Sequence, residues 1–327
     1  MNLNLQALLS MQRLLFLSAA LGLLLSLGGC SRPETPATAR IHLVIFSQCN
    51  NAEPYRAAQN VRMRELWGRY PDVKLVVMDA AQDNVRQINQ IETSIREKPD
   101  LLIVAPNERA PLSVAVAEAR SAGIPVICLE RNIAEPNYTA WIRADNRKIG
   151  RMAGRFIVAQ LQKKYGQPRG TVVELCGLKG VSAEIEREEG AREIWKDYPD
   201  IHVAADVVAD WLQSRAKDRM TEILAAVPQI DVVYGHNDPM AVGAYLAARD
   251  KGREKEMLFV GIDGLSGESG GIAKVRDGIL AATFVYPLCV DEAVEVGNRL
   301  LRDPTYTPDK IYTVASRMVS PDANGTP

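Results

Sequence analysis

The 327 residues carry 39 Lys plus Arg against 40 Asp plus Glu, a formal net charge of −1, and 47% of them are apolar. Near-neutrality without a long basic block leaves out a nucleic-acid footprint, which needs a positively charged face. Length alone suggests about two domains, each able to bury its own core.

In chain order, the first signal is an uncharged apolar run over residues 14–27, after Arg13 and ending in Leu27-Gly28-Gly29-Cys30. A basic start, a run too short for a comfortable membrane span and small residues before a cut describe an export signal over 1–29. Met11-Gln12-Arg13 offers a second, more typical start, because residues 1–10 carry no charge. The small residues directly before Cys30 resemble a lipobox, which implies a diacylated Cys30 as the first mature residue; the plainer alternative is an ordinary cleavage site. Residues 30–39, rich in Pro, Ser, Thr and Ala without apolar periodicity, read as a lipid-anchored tether.

Folding is expected from about residue 41. Short apolar runs at 41–46, 74–78, 101–105 and 125–129 read as buried strands, separated by amphipathic helices at 55–69, 84–98 and 111–122 with Gly123 as C-cap. The pattern restarts with helices at 150–164, 183–196, 214–227 and 239–251 and strands at 171–175, 202–208, 232–234, 258–262 and 280–286. Alternation of this kind predicts two open, doubly wound α/β sheets of parallel strands. Cys49, Cys128, Cys176 and Cys289 are too widely spaced for a CxxC metal motif, and three disulfide pairings remain open. Buried free thiols are the simplest reading for Cys128 and Cys176, which lie in strand-like runs. No cofactor or metal is expected.

Ligands of open α/β sheets sit beyond the carboxyl ends of the strands. Those positions are polar here: Ser47-Gln48, Glu130-Arg131, Asp145-Asn146, Asn237-Asp238 and Asp263, with Arg187 near the start of a helix and Tyr55, Trp211 and Tyr286 as available aromatics. Carboxylates that accept from neighbouring hydroxyls, arginines that donate in a planar fork and rings that cover a C–H face are what a polyhydroxylated ligand needs. Plainer roles stay open for each. Asp145 and Asp238 suit helix starts, Trp211 and Tyr286 suit packing, and Arg187 suits an exposed pairing with Glu184, Glu186 or Glu188.

Phe46-Ser47-Gln48, Leu129-Glu130-Arg131, Ala144-Asp145-Asn146, Val173-Glu174-Leu175-x-Gly177, Glu186-Arg187-x-x-Gly190, His236-Asn237-Asp238-x-Met240-x-x-Gly243-Ala244 and Gly261-Ile262-Asp263-Gly264 together resemble the marks of periplasmic sugar-binding proteins of the ribose type. Ser47-Gln48 followed by Tyr55-Arg56 is most similar to the galactofuranose-binding members. The resemblance implies a type I periplasmic-binding-protein fold with two lobes joined by three hinge crossovers: 40–143 with 287–308, and 144–286 with 309–322. It also implies that Arg131, Arg187, Asn237 and Asp263 hold sugar hydroxyls, while Trp211 stands where the family often has a Phe over one sugar face. Glu130 replaces the usual Asp and Tyr286 a hinge Gln. Both changes alter the cavity and favour a neutral hexose over ribose.

Gly267-Glu268-Ser269-Gly270-Gly271 satisfies GxSxG, but an elbow nucleophile needs its His later in the chain, and His42, His202 and His236 all precede Ser269. A phosphate-cradling GxGxxG or P-loop is missing after the first strand. The resemblance therefore implies a non-enzymatic, monomeric envelope lipoprotein that captures a monosaccharide by hinge closure and delivers it to an ABC-type permease. The alternative is a sugar sensor read by a chemoreceptor or membrane histidine kinase.

Overall fold

The computed structural model describes residues 40–321; the expected signal (1–29), the tether (30–39) with Cys30, and residue 322 lie outside them. The first half runs β1 (His42–Gln48), α1 (Pro54–Trp67), β2 (Val73–Asp79), α2 (Asn84–Glu97), β3 (Leu101–Val104), α3 (Arg109–Ser121), β4 (Val126–Leu129) and β5 (Ala140–Ala144). The second runs α4 (Asn146–Tyr165), β6 (Gly170–Cys176), α5 (Ser182–Trp195), β7 (Ile201–Val208), α6 (Gln213–Ala226), β8 (Val232–Gly235), α7 (Asp238–Asp250), β9 (Leu258–Asp263), α8 (Gly271–Arg276) and β10 (Ala282–Val285). The chain closes with α9 (Val290–Arg302), β11 (Ile311–Val314) and β12 (Met318–Val319).

Two six-stranded sheets result, ordered β11-β5-β4-β3-β1-β2 and β12-β10-β9-β8-β6-β7. Every pairing is parallel except β10 with β12. Successive side chains of a strand point to opposite faces, and in β1 both faces are buried. Val44 and Phe46 join a core with Trp67, Leu101, Ile103 and Val290, whereas Ile45 joins another with Ile91, Leu102, Leu112 and Val116. Burial on both faces is why the strands read as near-continuous apolar runs. Among the described residues, no helix is long and apolar enough to cross a membrane.

Helix starts follow the sequence. Asp83 accepts from Arg86 N at 3.0 Å, Asp145 from Lys148 N at 2.8 Å and Asn237 from Met240 N at 2.9 Å, each satisfying an orphan amide of the first turn. Gly123, with φ of +82°, follows α3 in the left-handed conformation expected of a C-terminal cap.

Several elements differ from expectation. β5, α9, β11 and β12 are additional, and α8 rises within the Gly/Ser-rich segment after Asp263. α4 begins at Asn146, four residues before the expected 150. Residues 309–322 were expected to belong wholly to the second lobe. Instead, Ile311–Val314 pairs in parallel with β5 of the first sheet, and only β12 joins the second. Lys310 carbonyl accepts from Trp141 N at 2.9 Å, so the edge of the first sheet draws this segment in before the chain crosses the third time.

Candidate functional site

The carboxyl ends of the strands of both sheets meet at a small cleft. Glu53, Tyr55 and Arg56 reach it from the start of α1, and Glu130 and Arg131 from the turn after β4. From the second lobe come Ala183 and Arg187 on α5, Trp211 after β7, Asn237 after β8, Asp263 at the end of β9 and Tyr286 after β10. The side chains stand close together and leave a space of about 10 Å³ between them, room for about one water. A wider groove alongside shares Asp263 and is lined by Pro54, Gln213, Ser266 and Lys274 among others.

Glu130 is the centre of the first-lobe wall. Its Oε2 is 2.6 Å from Arg56 Nη1 and 3.8 Å from Arg131 Nε, and its Oε1 accepts from the Tyr286 hydroxyl of the opposite lobe. Burial pushes the Glu130 carboxyl up in pKa, but Arg56, Arg131 and the Tyr286 hydrogen bond outweigh it, so the net shift is downward and the group stays charged. Arg131 Nη1 donates to the Asn107 carbonyl at 3.0 Å.

On the second lobe, Arg187 is held by Asn146 Oδ1 at 3.0 Å from its Nε and by the His236 carbonyl through Nη1. Its guanidinium lies 4.3 Å from the Tyr286 ring centroid and 5.5 Å from that of Trp211. Tyr286 is also stacked on Tyr55 at 5.0 Å, so its polar contribution is its hydroxyl rather than an open ring face. Asn237 Nδ2 donates to the Trp211 carbonyl at 3.0 Å. Gly177 makes room for this arrangement, because a Cβ there would stand 2.1 Å from the Trp211 ring.

Asp263 is different from the other charged groups. It is 4% exposed, and its carboxylate has no hydrogen-bond donor among the described residues. Burial first, then repulsion from Asp238, raises its pKa well above the ordinary carboxylate value. Asp238 itself accepts from Thr283 Oγ1 at 2.6 Å and Gly264 N at 2.8 Å; burial nevertheless pushes its pKa up to about 6. Three residues of the wall, Glu130, Trp211 and Asp263, hold φ of +65°, +68° and +136°. Such strain in non-glycine residues persists only where the surroundings over-determine it, and it concentrates at functional sites.

Of the residues singled out in the sequence, Tyr55, Arg56, Glu130, Arg131, Arg187, Trp211, Asn237, Asp263 and Tyr286 are brought together here. Ser47, Gln48 and Asp145 are not. Gln48 is spent within the first lobe on Gln59 at 3.2 Å, Asn60 at 3.3 Å and Cys49 N at 3.1 Å, Ser47 Oγ accepts from Gln87 at 3.3 Å, and Asp145 caps α4. Arg187 is 2% exposed, which excludes a solvent-exposed pairing on its own helix. Glu53 was not anticipated as a site residue, and Asn146, named in the sequence beside Asp145, acts by linking Arg187 to the Tyr286 hydroxyl, 3.2 Å from its Nδ2. Cys49, Cys128, Cys176 and Cys289 are free and buried. His236, whose Nε2 is 3.0 Å from Glu174, is engaged away from Ser269.

The profile of the periplasmic binding protein domain matches residues 44–288. The ribose import binding protein of Bacillus subtilis (strain 168) is 31% identical over 64% of this chain, which covers 65% of that protein, just under two thirds. The galactofuranose-binding protein of Escherichia coli (strain K12) is 28% identical over 85% of this chain and 87% of its own length. Among solved structures, the fructose-binding periplasmic domain of a hybrid two-component system superposes with a TM-score of 0.81 at 36% identity, covering 86% of this chain and 91% of that one.

Proposed function

The chain belongs to the periplasmic binding protein family, and from the cleft it carries we propose that it captures a neutral monosaccharide between its two lobes. The observation that carries this reading is Asp263, a buried carboxylate without an internal donor. A pair of adjacent sugar hydroxyls supplies the donors it lacks, and Arg187 and Arg131 donate to the remaining ring and hydroxyl oxygens. Glu130 stays charged and offsets Arg56. The carboxylates of Glu53, Glu130 and Asp263 balance the three arginines, so a neutral ligand leaves no net charge in the closed cleft.

Binding then proceeds by closure, because contacts to both lobes exist together only in the closed form and shift the population toward it. The closed protein hands its sugar to a permease of the ABC type, and a diacylated Cys30 followed by the tether keeps it at the membrane. The relatives named for ribose and galactofuranose support this reading. A second reading, presentation of the closed form to a sensor kinase, is favoured by the likeness to the fructose-binding domain of a two-component system.

A thermal-shift screen of furanose and pyranose monosaccharides, including D-fructose, D-galactose and D-ribose, tests the proposal. A ligand at a hundredfold excess over its Kd stabilises the folded state by about 2.7 kcal/mol, a readily measured rise in Tm. A strong shift with an amino acid, a nucleoside or a sugar phosphate, with none from any neutral monosaccharide, overturns the sugar assignment.

A further inference from the structure

Beside the cleft, on the face of the second sheet covered by α5, the fold assembles a set of ligands that no local motif announces. Glu174 and Cys176 are two residues apart on β6 and so project from the same face. Asp206 of β7 lies beside Glu174 in the sheet register, and His236 follows directly after β8. A carboxylate oxygen of Glu174, the sulfur of Cys176 and a ring nitrogen of His236 all lie within 4.8 Å of one another, and all three residues are buried. Asp206 Oδ1 is 3.0 Å from the Cys176 sulfur, outside this trio and next to it as the nearest further carboxylate. His236, whose Nε2 is 3.0 Å from Glu174, has its other ring nitrogen to spare. Its side chain is fully buried, and its Nδ1 has no hydrogen-bond partner among the described residues.

We propose that Glu174, Cys176, His236 and Asp206 form a binding site for a zinc-type divalent cation. Thiolate, imidazole and carboxylate ligands select zinc and its neighbours over calcium or magnesium, which take all-oxygen shells. Tetrahedral zinc with bonds of about 2.0–2.3 Å places its ligand atoms roughly 3.4–3.6 Å apart, so the cluster needs only side-chain adjustment to close on the ion. Arg192 now supplies the positive charge, with Nη2 2.6 Å from Glu174 and 3.3 Å from Asp206. Its side chain is 36% exposed, so it can turn to water as the ion enters. His236 joins the two sites, because its carbonyl oxygen holds Arg187.

The test is titration of the reduced, chelator-treated full chain with cobalt(II). The expected result is one ion per chain with a near-ultraviolet thiolate charge-transfer band and the strong visible bands of four-coordinate cobalt, bleached by zinc. Cys176→Ser removes the charge-transfer band and weakens zinc binding by more than about a hundredfold, beyond the roughly 10–100-fold that the loss of an outer-sphere partner costs. His236→Gln changes the visible bands while leaving the thiolate band, and Cys128→Ala changes neither. A wild-type chain without the thiolate band overturns the site, whatever the folding of the variants, and so does a band that survives in folded Cys176→Ser. None of these readouts depends on a sugar, so failure here is distinct from failure of the sugar assignment.

Discussion

The Tyr286 hydroxyl, at the end of a second-lobe strand, donates to the Oε1 of Glu130, at the end of a first-lobe strand, and the same hydroxyl lies 3.2 Å from Asn146 Nδ2. One phenol thus connects the carboxylate paired with Arg56 to the amide that aims Arg187. This makes Tyr286 a positioning residue for groups on both sides of the cleft.

Tyr286→Phe keeps the ring stacked on Tyr55 and removes only the hydroxyl. A hydrogen bond to a charged group contributes about 1.5–3 kcal/mol to the state that holds it; this one ties the two lobes together, so sugar affinity is expected to fall by roughly tenfold or more and Tm to fall by a few degrees with it. Calorimetry with the sugar identified by the screen measures the loss. Unchanged affinity would remove the Tyr286 hydroxyl from the binding mechanism.

Gly177→Ala places a methyl group 2.1 Å from the Trp211 ring, closer than any Cβ contact can be. The ring must move, at an overpacking cost of about 1–3 kcal/mol, and it moves out of the position where it faces the cleft and Arg187. Weakened sugar binding with a changed tryptophan emission is the expected outcome. A variant with wild-type affinity would show that Trp211 does not cover the ligand.

Much of this was legible because strand ends in an open α/β sheet are both polar and convergent. Glu130-Arg131, Asn237 and Asp263 could be placed from the runs that precede them. Other parts lacked a local signal. β5, β11 and β12 are short, and what makes Ile311–Val314 a strand is the open edge of a sheet that lies far away in sequence. α9 was missed although Val290, Ala293, Val294, Gly297 and Leu301 recur at helical spacing. Gln48 sits at a strand end and reads as a ligand, yet Gln59 and Asn60 of α1 absorb its amide. Only the packed structure discloses that competition. The same holds for Asn146, whose role depends on Arg187, 41 residues away.

Cys30→Ser tests the anchor, which lies outside the described residues. The substitution should release the exported protein from the detergent phase into the aqueous fraction with Tm unchanged, because residues 30–39 precede the folded unit that begins at Ile41. A wild-type protein that already partitions wholly into water, when expressed with its own leader, rules out the lipid.

Asp263→Asn separates stability from function. In the unliganded protein the folded-state pKa of Asp263 lies well above its ordinary value, and Asp238 is raised to about 6. Groups raised in this way contribute stability that is fully present below the unfolded pKa and is lost as pH rises through the folded one. Above that folded pKa the charged Asp263 is therefore a burden on the empty protein, and the amide removes it. If the gain is on the order of 1 kcal/mol, Tm should rise by about 2–4 °C on the alkaline side of that pKa. The rise should shrink as pH falls below that folded pKa, where the wild-type carboxyl is protonated and the two proteins carry the same charge. Sugar affinity should move the other way, falling by about 1.5–3 kcal/mol because an amide accepts hydroxyl donors without the charge. In the wild type, affinity should weaken as pH drops through the Asp263 pKa, since hydroxyl donors favour the ionised form. A variant that binds sugar as tightly as the wild type and is no more stable at any pH would show that Asp263 neither carries a buried charge nor holds the ligand.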